Sequence, residues 1–369
     1  MKKKYVGIAL AALVAFSACT KVERDPMPAS KISFAVGDYA HRTKADPAAG
    51  HTLFSDVSTT FNSRAFLYGA GVSGVQHFFG TGEGEVVAFD GTNAWAPGAV
   101  SGKEYFWPFS SESYINFVCW YDKNGTPSVH ADSLDETQMH WLERTIVADD
   151  EIMFADEAWR YNNNDNAQFL YEASAGVPVL FHHALAQVGF RARIKSGCDV
   201  STSGLTRWEV SISDVALSNV YNTGTLNLSN TDPNSRTIVP WTVDGGNWTD
   251  LDDAASVEIA GTSQVALNAS SETVLQDPRT VLPQPVNNNM MLTFNYRISS
   301  YRGNSATPFS VEYMSFSGSL KAFTPEIEAW GLGQRIIYTI VIDPSTDTIL
   351  FDPSLTDWVA GEGGGVTVE

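Results

Sequence analysis

Apolar residues in this chain come in short bursts separated by Gly, Asn, Asp, Ser and Pro. The bursts at 65–68, 75–79, 86–89 and 91–95 have strand length and turn residues between them. Strands spaced by about ten residues mark an antiparallel sandwich. Residues 31–36 (Lys-Ile-Ser-Phe-Ala-Val) alternate apolar with small or polar side chains and predict a short strand, followed at 37–45 by an open, protease-accessible segment. In 114–121, Ile115, Phe117 and Cys119 fall on one face and Asn116, Val118 and Trp120 on the other. Both faces are bulky, so this strand is predicted to be buried on both sides. Residues 133–142 are the one helical candidate, with Ser133 and Glu136 fitting a capping box before β-branched Thr145, Ile146 and Val147 interrupt. The Asn-rich run 162–166 predicts a polar loop. Strands resume at 208–212, 214–217, 224–228, 256–259, 264–267, 290–298 and 310–316, with no internal repeat.

The last forty residues carry a further pattern. Trp330-Gly331-Leu332-Gly333 opens a β-branched and aromatic run to Ile342, Asp343-Pro344-Ser345-Thr346-Asp347 makes a turn, and Thr348-Ile349-Leu350-Phe351 starts a second run. This predicts a hairpin or a pair of neighbouring strands closing a sheet.

Composition narrows the class. Aromatic residues make up 12% of the 369 positions and ten are Trp, which suits β-sandwiches better than helical bundles. The length accommodates two domains. A formal net charge of −19 argues against nucleic acid as a partner, because phosphate binding requires clustered Lys and Arg. Lys2, Lys3 and Lys4 precede an apolar run, 6–16, that is too short to span a bilayer. With Ser17-Ala18 before Cys19 it reads as a secretion signal. Phe16-Ser17-Ala18-Cys19 resembles a bacterial lipobox, with Phe16 where Leu is usual, so Cys19 is the expected lipidation site, 1–18 the signal and 19–30 a tether. Losing the signal takes the net charge from −19 to −22. Cys119 and Cys198 are the one remaining possible disulfide pair, but strand-like and turn-like surroundings predict two free cysteines, one of them buried.

Candidate chemistry is sparse. His182-His183 would point to opposite faces of a strand and could not both ligate one ion. Asp149-Asp150-Glu151 and Asp250, Asp252 and Asp253 lack the alternating spacing of a calcium loop and read as solvated acidic turns. Residues 80–85, Gly-Thr-Gly-Glu-Gly-Glu, lack Lys and put two carboxylates where a phosphate would sit, so they read as a hairpin loop. No catalytic residues, metal ligands or cofactor-binding residues are expected. Carboxylates and aromatics together leave a secreted glycoside hydrolase as a remote alternative, and exposed Trp and Tyr would equally suit sugar binding.

Several motifs, in order, resemble the fimbrillin family of bacterial surface pili. They are the I-x-F strand followed by a basic segment at Arg42; Tyr105-Phe106-Trp107-Pro108 with Ile115-Asn116-Phe117; Val179-Leu180-Phe181-His182-His183-Ala184-Leu185-Ala186-Gln187-Val188, with Gln187 where a basic residue is usual; Leu282-Pro283-Gln284; and Tyr338-Thr339-Ile340-Val341-Ile342 with a late Asp357-Trp358. The resemblance implies an all-β fold of two tandem transthyretin-like antiparallel β-sandwich domains, 31–197 and 198–369. It also implies export as a lipoprotein to the outer membrane and cell surface. In polymerising members an arginine-specific protease cuts after the residue matching Arg42, which makes Ile32, Phe34 and Val36 a removable strand. A neighbouring subunit then fills the groove by strand exchange. The terminal strands would sit beside the piece that leaves or the piece that arrives. The Gly-rich tail, in which 366–368 alone could pair, is a poor donor and points to a tip or accessory subunit rather than a stalk. The expected partners are other pilus subunits, the outer membrane through the lipid, and host or bacterial surface glycans or proteins. The alternative is a non-polymerising surface lipoprotein that binds a glycan or host ligand and keeps its first strand.

Overall fold

The computed structural model describes residues 31–38, 59–69, 76–80, 84–89, 95–107, 113–124, 138–155, 158–161, 176–199, 206–232, 235–243 and 255–357. These are almost entirely strand. In the first half they are β1 (Phe34–Asp38), β2 (Phe61–Gly69), β3 (Gln76–Phe79), β4 (Glu85–Phe89), β5 (Trp95–Pro97), β6 (Ser113–Asp122), β7 (Gln138–Thr145), β8 (Ile152–Ala155), β9 (Ala158–Tyr161) and β10 (Val177–His183). The second half holds β11 (Ala186–Ile194), β12 (Thr206–Val220), β13 (Thr223–Asp232), β14 (Ser235–Thr242), β15 (Ala255–Ala260), β16 (Val265–Ala266), β17 (Thr273–Val281), β18 (Gln284–Pro285), β19 (Met291–Arg302), β20 (Ser310–Ser319), the single-turn helix α1 (Leu320–Phe323), β21 (Ala329–Trp330), β22 (Gln334–Asp343) and β23 (Thr348–Asp357).

Pairing runs right round the N-terminal core. β2 pairs β4, β4 pairs β5, β5 pairs β1, β1 pairs β10, β10 pairs β8, β8 pairs β6, and β6 returns to β2, with β3 and β9 attached outside this ring. The interior holds Phe34, Phe61, Phe79, Trp95, Trp107, Ile115, Phe117, Cys119 and Phe181. The two-faced expectation for β6 holds. Ile115, Phe117 and Cys119 enter this core, whereas Val118 and Trp120 enter a second cluster outside the ring.

The C-terminal unit is a two-sheet sandwich. One sheet runs β17-β11-β22-β23 and the other β15-β12-β19-β20, with β16 also on β12. Phe190, Tyr338 and Ile340 from the first meet Val210, Ile212, Phe294 and Ile298 from the second in one core. The terminal hairpin forms as expected, with β22 and β23 paired antiparallel along their length. It does not adjoin the first strand, however. β22 lies between β11 and β23, while β1 pairs with β10 and β5 in the other unit, which corrects the expectation of adjacency.

The chain crosses between cores at Ala184-Leu185. β10 belongs to the ring and β11, immediately after, pairs with β17 and β22, so a division at 197 would separate β11 from its partners. The crossing is packed by a cluster that includes Trp120, Phe154, Leu185, Tyr221, Leu226 and Trp241, and the Trp241 indole N–H donates to the Ala184 carbonyl at 2.7 Å.

The helical expectation for 133–142 fails where it can be read. Residues 133–137 lie outside the described residues, and Gln138 onward is β7, which pairs antiparallel with β13 in a three-stranded sheet with β14. The capping pattern is local, whereas a free edge on β13 supplies ladder hydrogen bonds from far along the chain. The acidic turn is also corrected. Asp150 is 2% exposed, and its carboxylate accepts from the Val147 N–H, Asn124 and Arg144. The Asp150 carbonyl accepts from the Thr280 hydroxyl, so this residue is part of the joint between units rather than a solvated turn. Both Cys119 and Cys198 are free and buried; the turn around Cys198 packs against Asp343, which covers it.

Candidate functional site: the seat of the first strand

The strand predicted at 31–36 occupies the seam of the N-terminal ring. Ile32 and Phe34 are fully buried and Val36 half-buried, all packed in the ring core. The Phe34 ring meets Phe117 edge-on at 5.2 Å and Phe61 at 5.8 Å, and Phe61 meets Phe181 at 5.2 Å. Edge-to-face contacts of this kind add about 0.5–1.5 kcal/mol beyond area burial.

Its backbone is held unequally. Along one edge β1 runs parallel to β10 from Phe34 opposite Val177 to Asp38 opposite Phe181. Along the other edge, among the described residues, only Phe34 pairs, opposite Trp95. Just upstream, the Ile32 N–H donates to the Tyr105 carbonyl at 2.9 Å, the Val177 N–H donates to the Ser33 carbonyl at 2.8 Å, and Lys31 bridges Phe106. Parallel neighbours share no hairpin turn. Among the described residues the seam holds by side-chain burial, one full ladder to β10 and separate backbone contacts of Lys31, Ile32 and Phe34 on the other edge.

Two features of this seat were not legible in the sequence. Gly176 adopts φ +85°, and a Cβ there would lie 2.7 Å from the Ser33 carbonyl carbon and oxygen. Glycine therefore lets the start of β10 approach the first strand. Glu85, placed by sequence in a hairpin loop, is a buried residue of β4 whose carboxylate accepts from Tyr105 Oη at 2.8 Å and Ser101 Oγ at 2.7 Å. Burial and the Glu85 carboxylate push the Tyr105 phenol up to about 12, so it stays a neutral donor. This clamp orders the segment whose carbonyl receives Ile32. Glu85 follows the glycines at 80, 82 and 84, and the sequence signal available was an acidic residue at the head of the apolar run 86–89.

The remaining expected sites fare differently. Cys19, Arg42, and Asp250, Asp252 and Asp253 lie outside the described residues. His182 stacks on Phe154 at 5.5 Å, while His183 is buried. Burial, with His182 and Arg335 adding to it, pushes the His183 imidazole down to about 3, and this outweighs the Glu151 carboxylate 3.8 Å away. Among the described residues no three His, Cys, Asp or Glu side chains are grouped to hold a metal ion, and no helix is long and apolar enough to cross a membrane.

Comparison with known proteins adds the family. A family model described as fimbrillin-like matches residues 64–358. The chain belongs to the fimbrillin-like family. The match begins beyond β1. A fimbrial protein from Bacteroides vulgatus superposes on this chain with a TM-score of 0.53 at 12% identity, covering 89% of this chain and 99% of that one, which shows a shared fold. Other solved structures align at lower scores. A candidate cell adhesion protein from Bacteroides uniformis has a TM-score of 0.44 at 16% identity, covering 89% of this chain and 99% of that one. The fimbrial anchor protein Mfa2 from Porphyromonas gingivalis has a TM-score of 0.32 at 10% identity, again covering 89% and 99%. No curated protein matches. The family and these structures are fimbrial or adhesive in description, not enzymatic.

Proposed function

We propose that this fimbrillin-like chain is a cell-surface pilus subunit, exported as a lipoprotein through Cys19, in which cleavage after Arg42 releases the first strand for exchange with a strand from a neighbouring subunit. The observation that carries this reading is the one-sided seating of β1 at the seam of the ring. Withdrawing it would strip Ile32, Phe34 and Val36 from the core and open a gap two strand spacings wide, about 10 Å, between β10 and β5. It would also leave the inward edge of β10 unpaired, at about 1–3 kcal/mol for each unsatisfied buried group. An incoming strand restores both the ladder and the apolar contacts, as in donor-strand complementation. The accessory or tip position rests on the composition of the Gly-rich segment after Trp358 alone.

A second reading is favoured by the completeness of the ring with β1 in place. In it the chain is an anchored, non-polymerising surface lipoprotein that keeps its first strand and binds a glycan or host ligand. N-terminal sequencing of the mature surface protein separates the two. A start at Thr43 supports the pilus subunit, and a lipidated Cys19 supports the anchored binder. Undiminished polymer from an Arg42→Ala chain on denaturing gels would sink the cleavage step.

A further inference from the structure

The outward face of the C-terminal sheet holds a cavity of about 300 Å³ that strand exchange does not use. Its floor is formed by β12, β19 and β20. The register places Ser211 beside Arg297 and Arg297 beside Tyr313, and two residues along the strands Ser213 beside Asn295 and Asn295 beside Ser315. Side chains alternate along a strand, so these six share the outer face while Phe294 and Ile298 fill the core.

Arg297 is the unusual member. It forms no ion pair among the described residues, and its Nε is buried without a hydrogen-bond partner. The nearby carboxylates are already engaged, Glu209 by Arg207 and Tyr301, and Asp214 by Ser213 and Asn295. The guanidinium carbon stands 6.0 Å from the centre of the Tyr313 ring, and Tyr313 is 73% exposed. A guanidinium keeps its charge at any working pH and offers a planar fork that matches a carboxylate. Hydrogen bonds from Arg207 and Tyr301, with the Arg297 charge adding to them, hold the Glu209 carboxyl below its usual range, so Arg297 is compensated from a distance and not by direct contact.

The backbone is also shaped here. The β12 ladder slips against β19 between Ser213 and Ala216, and Asp214 takes a left-handed φ of 53°. The Asp214 N–H is anchored on the Gly261 carbonyl at 2.9 Å. Bulges of this kind re-aim side chains beside binding sites, and a non-glycine residue in this conformation persists only where its surroundings hold it.

The groups around Arg297 are hydroxyls and amides. Ser211 donates to Gln264 at 3.3 Å and Ser315 to Asn295 at 2.7 Å, each hydroxyl retaining acceptor capacity and Gln264 its amide donors. The lining contains no carboxylate, so it offers no acid and base pair for glycoside hydrolysis. A ligand that uses every wall needs one carboxylate for the fork, several hydroxyls for the Ser, Asn and Gln groups, and a flat C–H face for the tyrosine ring. A peptide carboxylate would use Arg297 alone.

We propose that this cavity binds an acidic sugar unit, its carboxylate on Arg297, its hydroxyls on Ser211, Gln264, Asn295 and Ser315, and its ring against Tyr313. The proposal deepens the adhesive part of the reading above and does not depend on cleavage at Arg42, because the purified chain with β1 in place carries the whole site. The test titrates that chain with D-glucuronate, with glucose and acetate as controls, followed by saturation-transfer NMR. Glucuronate binds at least about tenfold more tightly than either control, and Arg297→Gln removes at least about tenfold of that affinity, one charge-assisted contact's worth. Arg297→Lys, which keeps the charge without the fork, recovers only part. Tyr313→Ala weakens glucuronate and glucose together while leaving acetate unchanged. Should Arg297→Gln melt early, Tyr313→Ala carries the test, since its side chain is exposed. Equal binding of glucuronate and glucose, full glucuronate binding by Arg297→Gln, no binding of glucuronate, or tighter binding of a tri-alanine peptide overturns the proposal.

Discussion

The two units close their cores by different means. The C-terminal sandwich is built from long antiparallel ladders, with β12 against β19, β19 against β20, and β22 against β23 paired along their lengths. Its central strand β22 has a partner on each edge throughout. The N-terminal ring is closed by the five-residue β1, which among the described residues has one full ladder and a single paired residue on its other edge. Stability in the sandwich is therefore spread over many elements, whereas the integrity of the ring depends on one short, sequence-distant strand. Regions of unequal local stability open independently, and the ring is the unit placed to open first.

The largest expected effect falls on the seam. Phe34→Ala removes a fully buried ring and destabilises the N-terminal unit by about 3–5 kcal/mol. Hydrogen exchange read strand by strand should show amides of β10 and β5 losing protection while those of β19 and β22 keep theirs. An equal loss in both units would dissolve the comparison.

Acid gives the next largest separation. His183, at the end of β10, stays neutral in the folded chain down to about 3, whereas the unfolded chain takes up a proton near 6.5. The stability tied to it is complete above the unfolded value and drains away as pH falls from about 6.5 toward 3. In the sandwich, burial would raise the Asp343 carboxyl, but hydrogen bonds from Lys195, Ser345 and Thr346 outweigh it and hold it below the usual carboxylate range. Its contribution is present above about 3.9 and lost only below that. Protection factors for β10 should thus decline between about pH 6 and 4 while those of β22 hold, and simultaneous loss would contradict the assignment.

Asp343→Asn sharpens the same contrast from the other side. The carboxylate takes the Lys195 ammonium at 2.6 Å, and losing its charge costs about 1–3 kcal/mol at pH 7 by denaturant titration. The gap from the parent should narrow as pH falls below about 4, because the unfolded parent then takes up a proton that the folded carboxylate does not. The smallest effect is at the exposed start of the seam. Lys31→Ala removes a solvent-exposed pair with Glu104 and should change stability by no more than about 0.5 kcal/mol. A larger change would mean that the seam is held at its end and not by Phe34.

Much of the fold could be read where the side-chain period was strong. Alternation along 115–120 assigned two faces, and the structure puts each face in its own cluster. The terminal hairpin was readable because two β-branched runs flank a turn at 343–347. The helix at 133–142 misled because a capping box is a local signal and β13 offered a better partner from eighty-odd residues away, Leu226 opposite Trp141. At the candidate site, Ile32, Phe34 and Val36 were visible as an alternating triplet, whereas Gly176, Glu85 and Tyr105 were not. Their roles exist only once the chain brings them to the first strand.

Sequence alone thus determined the all-β class, the inward face of the first strand and the pairing of the terminal strands, because each follows from residues adjacent in the chain. Tertiary structure decided that the first strand seals a ring, that the terminal hairpin sits in the other unit, and that Arg297 stands beside Tyr313. These depend on which strands become neighbours, and long-range pairing is chosen by the burial and ladder completion of the whole fold rather than by any local pattern.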